Sequence, residues 1–241
     1  NSSTATQAIE LIKDNFKNFS IDLIYGIPES SFDIWKKNID IGLKYDVPHI
    51  STYVLTVEPK TALIKLIEKN KIEEVSDIDQ KLQFEYVYDY LLSLGYVNYE
   101  FSSFAKPGYE CKNNVTYWNR GKYIGFGPSA HSFDGVKRKW NISNNQKYIE
   151  KIKLNSIAYE SEILSETDIL NEIIMIGLRT SEGLDLDLIE SKFSNLNLEK
   201  LIQQIQLKIM DGVLVKTDNK LHPSRDYKFL TDGIASDLFI T

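Results

Sequence analysis

The sequence contains a single cysteine, Cys111. One thiol cannot form a disulfide within the chain, and it cannot supply the three or four cysteine ligands on which zinc cages and iron–sulfur clusters rely. The residues of this chain alone therefore predict no metal site of that kind, and any such cluster would need ligands from elsewhere.

Long apolar runs and an excess of basic residues are also lacking. No apolar segment approaches the roughly 20 residues that span a bilayer, and no basic segment followed by an apolar stretch opens the chain. These absences predict a cytoplasmic protein without an integral membrane segment. The chain has 34 acidic and 28 basic residues and a formal net charge of −6. This balance predicts no nucleic-acid partner, because phosphate binding needs clustered lysine and arginine.

Helices and strands alternate in the first hundred residues. Apolar spacing predicts helices at residues 4–16, 32–43 and 77–94, and short apolar runs predict strands at residues 20–25, 49–56 and 96–101. This order is typical of βαβ units, so we expect an α/β fold with parallel strands, the first of them buried on both faces. The first strand would need a partner before residue 1, which indicates a barrel or open sheet present only in part.

The rest of the chain changes character twice. Residues 102–145 are rich in turn residues and predict a long irregular stretch, which is often functional. Beyond it, the spacing predicts helices at residues 145–153, 166–179, 184–193 and 198–211, then two short strands and a closing helix. That order is similar to a winged helix. We expect two domains, residues 1–145 and residues 146–241.

Two polar residues are candidates for function. An aspartate in a buried strand is costly unless it is paired or faces a ligand cavity, so Asp22 is either a structural or a binding residue. His131 lies in a run of small residues that lets the backbone approach another group closely, and it is either a hydrogen-bonded structural histidine or a site residue. The spacing of His49, Glu58 and His131 predicts no metal site.

The winged-helix order raises the alternative of a non-catalytic interaction module. Between residues 166 and 211, however, acidic residues outnumber basic residues by nine to four. A DNA-binding helix would need the opposite balance. A packing or lid role is therefore expected for this part of the chain.

Four segments occur in the order of a known family. They are residues 20–28 (SIDLIYGIP), 49–59 (HISTYVLTVEP), 99–108 (YEFSSFAKPG) and 117–132 (YWNRGKYIGFGPSAHS). Together they resemble successive motifs of the radical S-adenosylmethionine (SAM) family of oxygen-independent coproporphyrinogen III oxidase (HemN)-like proteins. Residues 174–186 (IMIGLRTSEGLDL) resemble the start of that family's carboxyl-terminal helical domain.

This resemblance implies a partial TIM-like (β/α) barrel, followed by a small helical, winged-helix-like domain. It also implies SAM across the carboxyl ends of the strands and a [4Fe–4S] cluster held by a CxxxCxxC loop before residue 1. In the family, three cysteines leave one iron open to chelate SAM, whose sulfonium is then cleaved reductively to a radical. We therefore expect a carboxyl-terminal fragment that is inactive without its iron–sulfur motif.

The resemblance assigns roles to individual positions. Asp22 matches a strand aspartate that makes a polar contact to SAM, and Thr56 and His131 match two further positions of the SAM pocket. At Thr56 the contact is expected from the backbone.

Two branches of the family differ in function. Residues 51–59 look more like the HemW branch, understood as haem carriers, than like the oxidases that decarboxylate two propionates of coproporphyrinogen. The His-Asn-x-x-Tyr haem motif of HemW falls on Asn113, Asn114 and Tyr117, with asparagine in place of the histidine. The expected ligands are haem or a porphyrinogen, and the expected partner is a haem-acceptor protein. A true oxidase is the alternative.

Overall fold

The computed structural model describes residues 2–240, which divide into two compact units between Cys111 and Lys112. The first unit contains four helices and four strands among its described residues. The helices are α1 (Ser2–Asn15), α2 (Phe32–Leu43), α3 (Ala62–Glu68) and α4 (Asp77–Ser93). The strands are β1 (Ser20–Tyr25), β2 (His49–Val54), β3 (Val97–Glu100) and β4 (Ser103–Ala105).

These strands form a mixed sheet in the order β1-β2-β4-β3. Strands β1 and β2 are parallel, as a βαβ unit requires, but β4 is antiparallel to both β2 and β3. The prediction of parallel strands is therefore correct for β1 and β2, but the sheet is mixed because it also contains β4, which was not predicted. The tight connection between β3 and β4 reverses the chain within the sheet and inserts a strand that the sequence pattern did not reveal.

Strand β1 is buried on one face only. Its side chains alternate between exposed and less exposed positions, with Asp22 and Ile24 exposed and Tyr25 buried. The prediction of burial on both faces is wrong. The reason is that α2 covers one face alone: the Ile21 side chain approaches Gly42 of this helix, and the Tyr25 ring lies 5.5 Å from the ring of Trp35.

The helices of the first unit begin at polar caps. Ser31 and Ser76 each accept a hydrogen bond from a backbone amide in the first turn of α2 and α4. After α4, Gly95 adopts φ of 83°, a left-handed conformation that glycine tolerates best and that ends the helix. The aromatic core of this unit forms where Phe84 of α4 stacks on Phe101 at 5.4 Å.

The second unit contains six α-helices and six strands among its described residues. The helices are α5 (Lys112–Trp118), α6 (Asn145–Lys153), α7 (Glu166–Arg179), α8 (Leu186–Lys192), α9 (Glu199–Met210) and α10 (Thr231–Asp237). The strands are β5 (His131–Phe133), β6 (Lys137–Asn141), β7 (Tyr159–Ile163), β8 (Leu184–Asp185), β9 (Leu214–Thr217) and β10 (Lys220–Pro223). A 3-10 helix, Arg225–Leu230, precedes α10.

Two antiparallel sheets organise this unit, in the orders β5-β6-β7 and β8-β10-β9. The stretch 102–145, predicted to be irregular, instead holds β4, α5, β5 and β6. Likewise, the helix predicted over residues 184–193 begins with strand β8, because Leu184 pairs with Leu221 of β10. Leu184 is fully buried in the apolar core that α7, α8, α9 and α10 share with the second sheet.

Candidate functional site

A polar surface lies on the sheet of the first unit, on the face opposite α2. Because alternate residues of a strand point to opposite faces, the residues that alternate with Ile21, Leu23 and Tyr25 share this surface with their partners on β2 and β4. We call it the polar face after its polar members, Ser20, Asp22, His49, Ser51 and Ser103. The exposed apolar residue Ile24 and its partner Tyr53 lie on the same surface, at the carboxyl ends of the strands.

Asp22 occupies the centre of the polar face on β1, in register with Ser51 of β2. Its side chain is exposed, so the expectation of an aspartate inside a buried strand is wrong. The carboxylate nevertheless lies on the sheet face that α2 leaves free. This position suits contact with a ligand, and it removes the desolvation cost that would otherwise have required a partner.

Three hydrogen-bonded side chains, Ser20, His49 and Tyr99, form a row across the polar face at the amino-terminal ends of β1 and β2. The Nδ1 atom of His49 lies 2.8 Å from the Ser20 hydroxyl, and the Nε2 atom lies 2.8 Å from the Tyr99 hydroxyl. His49 is buried, and burial is the largest cause of its lowered pKa, which the nearby charges of Asp22 and Glu110 partly oppose. The imidazole is therefore held neutral, with both ring nitrogens engaged.

Glu100 is a buried carboxylate beside this row. It pairs with Ser103 across β3 and β4, and its Oε2 accepts a hydrogen bond from the Ser102 amide at 3.1 Å. Ser103 in turn donates to the Ser51 hydroxyl at 3.4 Å. Glu100 could not be predicted from the sequence, because a four-residue strand with a bulge gives no alternation to show which face the side chain occupies.

Thr56 follows the carboxyl end of β2 and is exposed. The backbone nearby is fixed to β1, since the Leu55 amide donates to the Tyr25 carbonyl at 2.8 Å. Beside it, the Gly26 amide donates to the Gln83 side chain of α4 at 3.0 Å. Asp22 thus lies on β1, and Thr56 lies just beyond the neighbouring strand β2, at the edge where parallel strands bind ligands.

His131 belongs to the second unit, where it opens strand β5 and is exposed. Its ring lies 6.4 Å from the ring of Trp140, its partner on β6. Both residues line a cavity of about 300 Å³ together with Asn141, whose amide donates to the Gly127 carbonyl at 2.9 Å. The small-residue run before His131 is therefore a loop tied to the sheet, as a close backbone approach predicts.

The three positions of the haem motif fall on one short helix, α5. Asn113 and Tyr117 are four residues apart and therefore share a helix face. Tyr117 is 43% exposed, and its ring contacts Tyr123 edge to face at 4.7 Å.

Tyr117 also lines a cavity of about 590 Å³ that holds an ion-pair cluster. Arg120 and Arg138 both donate to the carboxylate of Glu172 on α7, and the Arg120 guanidinium lies 5.2 Å from the centroid of Phe133. Burial, with a smaller contribution from Arg138, lowers the pKa of Arg120. This cluster was not found from the sequence, because residues 34 to 52 positions apart meet only in the fold.

No group of three or more histidine, cysteine, aspartate or glutamate side chains suited to a metal ion occurs within residues 2–240. Over the same range, the helices lack the combined length and apolarity that crossing a membrane demands.

Comparison with known proteins assigns the class. Residues 164–226 match the family model described as the HemN C-terminal domain. A solved structure, that of coproporphyrinogen III oxidase (HemN) from Escherichia coli, described as a radical SAM enzyme, superposes over 99% of this chain and 59% of its own. The TM-score is 0.76 at 17% sequence identity, so this likeness shows the α/β fold.

Sequence relatives extend the assignment. Heme chaperone HemW of Mycobacterium tuberculosis (strain CDC 1551 / Oshkosh) is 32% identical over 76% of this chain and 47% of its own length. Heme chaperone HemW of Bacillus subtilis (strain 168) is 29% identical over 91% of this chain and 58% of its own length. Heme chaperone HemW of Lactococcus lactis is 30% identical over 88% and 56%. The chain belongs to the HemN/HemW-like radical SAM family, and it spans about half the length of these curated relatives.

Proposed function

We propose that this chain is the carboxyl-terminal part of a HemW-like radical SAM protein that binds SAM over the polar face and handles haem. The observation that carries the proposal is the position of Asp22, whose carboxylate stands exposed on the sheet face opposite α2. The family and the names of its sequence relatives support the haem role.

The finer fold is part of this proposal. Strands β1 and β2, joined through α2, form one unit of a TIM-like barrel, and β1 lies at the edge of its sheet, where a preceding strand would add. In the second unit, the order α7, β8, α8, α9, β9, β10 supports a winged-helix-like domain. We also retain the expected domain boundary between residues 145 and 146.

The polar face has suitable chemistry for SAM. An ionised carboxylate only accepts hydrogen bonds, and SAM offers donors in its ribose hydroxyls and its ammonium group. Asp22 would hold one of these donors, and the backbone at Thr56 would line the strand edge. The role of His131 in SAM binding is proposed from the family motif alone. When bound, SAM supplies the sulfonium that defines the family's chemistry.

The same residues do not fit the [4Fe–4S] cluster. Cys111 is the one thiol in the sequence, whereas such clusters are held by several thiolates. The cluster ligands must therefore come from outside these 241 residues.

Haem or a porphyrin is the proposed ligand, and a haem-acceptor protein is the proposed partner. Tyr117 could provide a phenolate ligand of the kind that haem iron accepts in some proteins. Asn113 lies one turn earlier on the same face of α5, but an amide is a poor substitute for the histidine of the motif. The oxidase alternative is less favoured, because the full-length sequence relatives are named heme chaperones, whereas the solved HemN structure shows a likeness of fold alone.

The test measures SAM binding by the full-length, cluster-loaded protein. Asp22→Ala should weaken SAM binding by about 1–3 kcal/mol, the cost of losing a hydrogen bond to a charged group. Asp33→Ala is the matched control, because the Asp33 side chain is 92% exposed on α2 and makes only a long contact to Lys36. Unchanged SAM affinity in Asp22→Ala would contradict the proposal.

A second measurement separates the two branches of the family. The same protein should bind haem and leave coproporphyrinogen III intact. Decarboxylation of the porphyrinogen propionates would instead support the oxidase.

A further inference from the structure

The sheet β5-β6-β7 has two faces that differ in charge. Partners across antiparallel strands point to the same face. Arg138 therefore shares one face with its partner Glu162, and it also pairs with Glu172. Lys137 and Lys139 occupy the other face, since they alternate with Arg138 along β6.

A cavity of about 560 Å³ opens on the lysine-bearing side. Its cationic lining is Lys122, Lys137 and Lys139, and Ile124 is its large apolar side chain. Tyr123 and Phe133 contribute backbone to the wall, because Phe133 pairs with Arg138 and Tyr123 pairs with Phe133, which places both side chains on the opposite face. We call this the lysine cavity. Its volume falls in the range of small-molecule sites, roughly 300–1,000 Å³.

The three ammonium groups of the lysine cavity form no ion pair with the described residues 2–240. The one carboxylate in the lining, Asp134, accepts backbone hydrogen bonds from Lys137 at 2.7 Å and Val136 at 3.1 Å. These two hydrogen bonds lower the pKa of Asp134, and the one from the Lys137 amide has the larger effect. Asp134 is thus engaged in the turn, and the lining carries a net positive charge.

The wall of the lysine cavity is held in place by backbone contacts. Tyr123 and Phe133 exchange two backbone hydrogen bonds of 2.9 Å each. The Gly125 amide donates to the Ser132 hydroxyl at 3.0 Å, and a Cβ at Gly125 would come within 2.1 Å of the His131 carbonyl oxygen. These contacts hold the backbone on both sides of Ile124, so this 75% exposed side chain lies at the rim of the cavity.

The neighbouring cavity beside Tyr117 has the opposite character. Its two arginines already share the carboxylate of Glu172, and Glu162 and Asp168 add further negative charge to the lining. An incoming carboxylate would have to displace Glu172 there, whereas the lysine cavity offers three cations that are not ion-paired.

We propose that the lysine cavity binds a tetrapyrrole through its carboxylates. The ammonium groups contact the carboxylates, and Ile124 and the methylene stems of the lysines contact the apolar ring. Haem and the porphyrin precursors share this chemistry. The inference rests on the proposed function and adds to it a location that does not involve the iron ligand.

The test uses the full-length protein and follows tetrapyrrole binding by absorbance or fluorescence. The probes are haemin, coproporphyrin III, free-base protoporphyrin IX and its dimethyl ester. The triple variant Lys122→Gln, Lys137→Gln, Lys139→Gln should raise the Kd for protoporphyrin IX about tenfold, a value within the range expected when three partly exposed ion pairs are lost. Lys147→Gln, Lys151→Gln, Lys153→Gln on α6 removes the same charge from exposed positions and should leave the Kd unchanged.

The ester provides an independent readout. The unsubstituted protein should prefer the free acid to the dimethyl ester, and the triple variant should lose this preference. Tighter binding of haemin would assign the site to haem, and tighter binding of coproporphyrin III would assign it to the precursors.

Two results would overturn the inference. Equal Kd values for the triple variant and the unsubstituted protein would remove the lysine cavity as the site while leaving the haem function standing. Failure of the unsubstituted protein to bind any tetrapyrrole would overturn both.

Discussion

The Nε2 atom of His49 lies 2.8 Å from the hydroxyl oxygen of Tyr99, which joins β2 to β3 across the intervening strand β4. Both side chains are buried, at 4% and 8% exposure. A buried polar group left without its partner costs about 1–3 kcal/mol. The pair is therefore a structural link of the polar face, and each of its members depends on the other.

His49→Phe should lower the free energy of unfolding by about 1–3 kcal/mol, because the Tyr99 hydroxyl loses its partner. Urea denaturation measures this loss. Tyr99→Phe should cost a similar amount, and the double variant should cost less than the sum, since the two residues act as one unit. Additive losses would contradict the link.

Stability should also depend on pH through His49. Burial lowers the pKa of this residue in the folded state below its value in the unfolded chain, so the unfolded state binds more protons in acid. The stability is then complete above the unfolded pKa, about 6.5, and falls as the pH drops below it. Urea unfolding between pH 5 and 8 should show this slope, and His49→Phe should reduce it.

The slope that remains in His49→Phe should come from His222, whose pKa is lowered mainly by burial. Removing both histidines should leave stability nearly flat between pH 6 and 7. A slope of unchanged size in His49→Phe would show that the buried imidazole does not cause the loss of stability at acidic pH.

Gly183→Ala should destabilise the second unit more than Gly212→Ala. Both glycines have positive φ, 79° and 70°, so both substitutions carry the same backbone strain. At Gly183 a Cβ would also come within 2.4 Å of the His222 ring, whereas at Gly212 it meets nothing within 4 Å. Overpacking adds about 1–3 kcal/mol, and thermal or urea unfolding should show this difference. Equal losses would mean that the His222 ring moves aside freely.

Glu172→Gln should lower the free energy of unfolding by about 1–3 kcal/mol, because Arg120 and Arg138 lose their shared carboxylate and face each other as like charges. Chemical denaturation at low and high salt measures the effect, and added salt should reduce it. Glu190→Gln on α8 removes the same charge from an exposed position and should change little. A loss no larger than that control would show that the cluster contributes nothing to stability.

The helices were predictable where caps and periodicity act locally. Strand β1 and the helices α6 and α7 have the bounds expected from sequence. For α7 the reason is visible, since Ser165 and Asp168 form a reciprocal capping box at its start.

The strands β6 and β7 could not be predicted from one sequence. Their residues, KRKWN and YESEI, show no apolar alternation. What stabilises them is cross-strand pairing, such as Arg138 beside Glu162 and Trp140 donating to Glu160 at 3.2 Å. Pairs of this kind depend on register, which exists only once the hairpin has formed.

The candidate site was predictable to a similar extent. Asp22 and Thr56 are predicted from the family motifs, and the structure places Asp22 on β1 and Thr56 two residues after the end of the adjacent strand β2. The burial expected for Asp22 was wrong, because an apolar run does not show whether helices cover one face of a strand or two. Glu100 and the lysine cavity arise from a bulge and from strand pairing, which a sequence pattern does not contain.

The position of β1 at the margin of its sheet has a practical consequence for protein made from this sequence. Within residues 2–240 the strand pairs with β2 alone, so its outer amides and carbonyls form a template onto which a second molecule can add. The negative charge of Asp22 opposes such self-association. Replacing Asp22 with a neutral residue should therefore promote self-association at high protein concentration. Light scattering should accompany any ligand titration of the Asp22→Ala variant.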